Sequence, residues 1–82
     1  MINLMSKQEI KDQAQLNLLN DGCGAFTFSL ENNIEPLETW QRLGEEIDEN
    51  ELANAKAIYA EMEKQFDRMK KFLGWPSFQG SH

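Results

Sequence analysis

Residues 49–73 read Glu-Asn-Glu-Leu-Ala-Asn-Ala-Lys-Ala-Ile-Tyr-Ala-Glu-Met-Glu-Lys-Gln-Phe-Asp-Arg-Met-Lys-Lys-Phe-Leu, and their apolar spacing decides the fold. Leu52, Ala55, Tyr59, Met62, Phe66, Met69 and Leu73 recur at steps of 3, 4, 3, 4, 3 and 4 residues. A seam with that period predicts a helix that packs along one side. Ile58 and Phe72 widen it. Gly74 is placed to end this helix and Pro76 to prevent its resuming. At a rise of 1.5 Å per residue it is roughly 37 Å long, more than a short neighbouring helix can cover. Its start is marked by Asp48-Glu49-Asn50-Glu51, a capping residue with an acid at the third position.

Upstream, the signals are weaker. Leu37, Trp40, Gly44 and Ile47 lie at steps of three, four and three, the apolar face of a second helix that begins near Pro36. Gly44 lies within that face, where close packing against the last helix accounts for it. The five-residue step from Ile47 to Leu52 predicts a turn between the two. Ser6-Lys7-Gln8-Glu9 is a capping box and opens a helix over about Lys7–Leu19, ended by Asn20, Asp21 and Gly22. Its apolar stripe is imperfect. Ala14, Leu16 and Leu18 also fit an alternating strand; the helix is the preferred reading. Ala25 to Leu30 alternates, with Phe26, Phe28 and Leu30 on one side and Thr27 and Ser29 on the other. That is the period of a half-buried strand, or of an extended segment that lays its phenylalanines on the helices. Glu31-Asn32-Asn33 makes a polar turn. The predicted fold is therefore mainly α: about three helices, a long C-terminal heptad helix, and one short strand or extended segment.

The 82 residues suffice for one domain, taken as 1–79, with Gly80-Ser81-His82 set aside as a tag remnant. Cys23 is the only cysteine and His82 the only histidine. Those counts exclude an internal disulfide, a thiolate metal cluster and a histidine-based site elsewhere in the chain. Gly22-Cys23-Gly24 lacks the third glycine and the lysine of a phosphate loop. The acids near residue 48 lack the spacing and central glycine of a calcium loop. No catalytic residue, metal or cofactor is expected. No apolar run approaches the ~18 residues that a membrane span needs, and Met1 to Met5 lacks the features of a signal peptide. The expectation is a soluble, cytoplasmic protein.

Fourteen acids against eight bases give a net charge of −6, unfavourable for direct contact with nucleic acid or an anionic membrane. The expected partner is a protein with a basic surface. Glu31, Glu35, Glu38, Glu45, Glu46, Asp48, Glu49 and Glu51 form the candidate acidic surface, with Trp40, Trp75 and Phe78 as apolar anchors. Acids in a first helical turn also complement the helix dipole, which explains several of them without any partner. The heptad residues Leu52, Ala55, Tyr59, Met62, Phe66, Met69 and Leu73 are the expected homodimer seam. Along the same helix Glu49, Glu51, Glu61 and Glu63 precede Lys64, Arg68, Lys70 and Lys71, which favours antiparallel pairing. Small acidic domains without catalytic groups are a common form for phage-encoded inhibitors of host defence, anti-CRISPR proteins among them, and for toxin-immunity proteins. A structural subunit of a larger assembly is the alternative.

Overall fold

The computed structural model describes residues 2–73, apart from the side chain of Leu73. Trp75, Phe78 and residues 80–82, expected to be a tag remnant, lie outside the described residues. Helix α1 (Lys7–Asp21) is followed by α2 (Gly24–Ser29), a π-helical turn (Leu30–Ile34), α3 (Glu35–Arg42) and α4 (Glu49–Leu73). The three middle elements succeed one another without a break, so the chain forms three rods: α1, the 24–42 rod and α4. Among the described residues there is no strand.

The capping box at α1 forms as the sequence predicts. Glu9 N donates to Ser6 Oγ at 3.2 Å while Ser6 N donates to Glu9 Oε1 at 2.8 Å. The helix runs two residues past Leu19 and ends where Gly22, at φ +57°, donates its N–H to the Leu18 carbonyl. Ala14, Leu16 and Leu18 are therefore helical; Ala14 and Leu18 are buried and Leu16 is half exposed.

The expected strand at 25–30 is also helical, and burial gives the reason. The residues of this rod that turn inward are Ala25, Ser29, Ile34 and Leu37, at steps of four, five and three. In a regular α-helix a step of five falls roughly 140° past a full turn. The π turn takes up the extra residue, its signature being the five-residue bond from Glu35 N to the Leu30 carbonyl. Both halves of the rod thereby keep one face on α4. Pro36 sits just past this turn. It has no N–H to offer the Asn32 carbonyl, and its ring would crowd that carbonyl in a regular helix, so a widened turn is least costly here. The alternating phenylalanines are separated by the helix: Phe26 packs inward while Phe28 is 58% exposed.

Gly44 does not lie in a helix face. Helix α3 stops at Arg42, and Gly44 takes φ +87° with its N–H on the Gln41 carbonyl and that of Glu45 on the Trp40 carbonyl. This is a Schellman turn, where glycine avoids a steric penalty in the left-handed region. A Cβ there would meet nothing within 4 Å, so close packing is not its role. The turn divides the expected face. Leu37 and Ile47 go inward, and Trp40 stays outside.

Two clusters cover α4. Ile34, Leu37 and Leu52 form one, with Ile47, Ala55 and Tyr59 against it. Ala14, Leu18, Ala25 and Met62 form the other, with Phe26 and Ile58 against it. Phe26 joins them, its ring 5.5 Å from Tyr59 edge-on and 5.6 Å from Phe66. Met62 is wholly enclosed, and its Sδ accepts from Asn17 Nδ2 at 3.7 Å and Ser29 Oγ at 3.8 Å. The part of the seam that its length implies will stay wet is confined to one end. Its own chain buries Leu52 and Met62 and half buries Ala55, Tyr59 and Phe66. Exposure returns only at Met69, beside the widening residue Phe72.

This division has a direct test in chemical denaturation. Met62→Ala is expected to lower stability by about 2–5 kcal/mol, the range for opening a cavity in a packed core. Met69→Ala should stay within about 0.5 kcal/mol of wild type.

Candidate functional site

The 31–51 stretch holds eight of the chain's 14 acids and a single base, Arg42, so it carries more than the whole net charge of −6. Glu31 lies on the π turn and Glu35 on α3, both exposed. Glu38, also on α3, reaches α4, its Oε2 3.0 Å from Lys56 Nζ. This pair is about half exposed, so it orients the two rods more than it stabilises them. Glu45 and Glu46 are exposed on the link between α3 and α4, and Glu49 and Glu51 on the first turn of α4.

Trp40 and Leu43 stand out from this acidic ground, 52% and 74% exposed. With Glu45 and Glu46 they line one shallow depression. The Schellman turn makes it, by folding the chain back beside Trp40. Leu43 was not legible as a surface residue, because its place depends on where α3 stops. An indole and a leucine side chain set among carboxylates can receive an apolar side chain from a partner while the rim meets its cations.

Asp48 has a different task from its neighbours. Its Oδ1 accepts from Asn50 N at 3.0 Å and Glu51 N at 3.4 Å, capping α4. Its Oδ2 accepts from Ile2 N at 2.8 Å. Asn50 Nδ2 donates to the Ile2 carbonyl at 3.0 Å, and Asn54 bridges Asn3 O and Met5 N at 2.9 Å each. Asp48, Asn50 and Asn54 therefore bind residues 2–5 as a strap across the start of α4. The trace this leaves in the sequence is a pair of asparagines, Asn50 and Asn54, four apart in the first turns of α4.

Trp75 and Phe78, the other expected anchors, lie outside the described residues, and so does the side chain of Leu73. Of the remaining seam residues, Leu52 and Met62 belong to the core and only Met69 has substantial exposure. Cys23 is exposed between α1 and α2. No group of three His, Cys, Asp or Glu residues with metal-binding geometry occurs among the described residues, and no helix there is long and apolar enough to cross a membrane. No family model, curated protein or solved structure matches the chain.

The strap makes stability depend on the charge of Asp48. Accepting the Ile2 amide chiefly, and those of Glu51 and Asn50, holds its carboxyl below the ordinary value of 3.8 against a smaller opposing effect of burial. A depressed carboxyl pKa contributes stability above the unfolded value, lost as pH falls through the folded one. Urea unfolding should therefore show wild type more stable than Asp48→Asn near neutrality. The gap should narrow once pH drops below 3.8.

Proposed function

We propose that this chain is a non-enzymatic protein-binding module whose acidic 31–51 face engages a basic surface on another protein. The observation that carries the reading is the exposed Trp40–Leu43 pair in one depression with Glu45 and Glu46. Exposed carboxylates alone are a solvated surface. An apolar centre with a charged rim has the arrangement of an interface: the aromatic supplies contact area and the rim supplies steering and selectivity. Glu31, Glu35, Glu49 and Glu51, all exposed, add to the negative charge of the same stretch. Asp48 is committed to the cap and the strap, so its part is structural.

An inhibitor that fills a basic groove is the role this form suits best, and a phage-encoded inhibitor of a host defence system, of the anti-CRISPR type, is the specific proposal. A target that handles nucleic acid carries such a groove, and a run of carboxylates can stand in for phosphates there. Cytoplasmic action goes with that target.

The test uses the full chain as bait in lysate of its native host, beside Trp40→Ala and Glu45→Lys/Glu46→Lys. A specific partner should be held by wild type at low salt, released as ionic strength rises, and bound at least ~10-fold more weakly by each variant, as expected for an interface anchor. A partner held equally by all three, or indifferent to salt, would overturn the acidic-face reading.

A further inference from the structure

The depression beside Trp40 has a narrower chemistry than the face around it. Trp40, Leu43, Glu45 and Glu46 line it. Across the left-handed Gly44, Glu45 N donates to the Trp40 carbonyl at 2.9 Å, which brings Glu45 back beside Trp40. Neither carboxylate has a cation of its own. The ion pairs among the described residues use Glu38, Glu61 and Asp67. Arg42, the one base of the 31–51 stretch, donates to Thr39 Oγ1 at 3.1 Å and lines a separate hollow with Glu35 and Glu38. The indole also has no cation over it. Among the described residues that contact occurs at Phe66, under Lys70.

We infer that this depression seats an arginine side chain of the partner, its stem on Leu43 and its guanidinium against the Trp40 indole and the two carboxylates. The inference rests on the acidic-face reading and narrows it to one side chain. Charge complementarity decides between occupants. A purely apolar side chain would take water from two carboxylates and return no hydrogen bond. A lysine would answer the charge, but its ammonium is compact and strongly hydrated. A guanidinium is planar and more weakly hydrated, so it stacks on an aromatic face more readily. Its forked N–H groups also meet carboxylates with paired, charge-assisted hydrogen bonds. Arginine thus brings the apolar contact and the cation together, with its stem along apolar surface and its head at the rim.

The seat is built before it is filled. The backbone bonds of the Gly44 turn already fix the chain around it, so binding orders little beyond the side chains themselves. Because the depression is shallow, an isolated arginine leaves part of the indole wet and binds weakly. In the complex, neighbouring parts of the partner complete the enclosure.

Titration of the full chain with a blocked Gly-Gly-Arg-Gly-Gly peptide tests it, followed by NMR at the Trp40 indole and the amides of Gly44, Glu45 and Glu46. The arginine peptide should shift these signals saturably. Its lysine counterpart should bind at least about threefold more weakly, and its citrulline counterpart, which keeps the shape without the charge, at least about tenfold. Trp40→Leu should weaken arginine binding about threefold, the size of an exposed cation–π contact, and Glu45→Gln/Glu46→Gln about tenfold. Helical circular dichroism should stay unchanged in both variants, because all three positions are exposed. Arginine and lysine bound alike, or arginine binding untouched by Trp40→Leu, would overturn the seat and leave only a face that attracts cations. The absence of any shift at these signals would also overturn it. A peptide that binds as described, beside a lysate in which no partner is released by salt, would instead overturn the acidic-face reading.

Discussion

The molecule depends on keeping one face of the 24–42 rod against α4. Helix α4 presents an apolar seam from Leu52 to Phe66, and α1 covers only the part near Met62. The 24–42 rod must supply Ala25 and Ser29 to one region of the seam and Ile34 and Leu37 to another. An unbroken α-helix would rotate the second pair away. The π turn at Leu30–Ile34 absorbs one residue and prevents this, and Pro36 just beyond it makes the widening cheap. Small residues at 25 and 29 bring the rods close enough for Phe26 to reach both Tyr59 and Phe66.

From that packing the surfaces follow. Because Leu37 and Ile47 are drawn inward around the Gly44 turn, Trp40 and Leu43 are left outward, beside Glu45 and Glu46. The acids are concentrated at the end of the molecule where α4 begins, where its dipole favours negative charge. Asp48 converts part of that charge into structure by capping α4 and holding the strap. At the other end α1 is shorter than α4, and among the described residues Met69 and Phe72 are exposed.

Much of the helical architecture was legible because its determinants are local. The Ser6–Glu9 box, the Asp48 cap and the seam of α4 each fix a helix through residues within a few positions of one another. The 25–30 segment was misread for a physical reason: Phe-Thr-Phe-Ser-Leu alternates, and the helical face that competes with it uses Ala25 and Ser29, whose small side chains give little hydrophobic signal. The π turn was hidden because a step of five matches neither helix nor strand period. Gly44 was misplaced because a glycine within an apolar spacing and a glycine ending a helix look alike until the backbone angle is seen. The acidic residues were legible as a cluster. Their division into a cap, a cross-rod ion pair and an exposed rim required tertiary contacts with Ile2 and Lys56.

Removing the extra residue tests the central constraint most directly. Deletion of Asn33, an exposed position within the π turn, made together with Pro36→Ala so that no proline stands inside a regular helix, would let the rod close to an unbroken α-helix and swing one half of its inward face away from α4. Thermal and urea unfolding of this deletion variant should show a large loss of stability, with the helix content of any folded fraction preserved. A deletion variant as stable as wild type would contradict the claim that the π turn holds the two clusters in register.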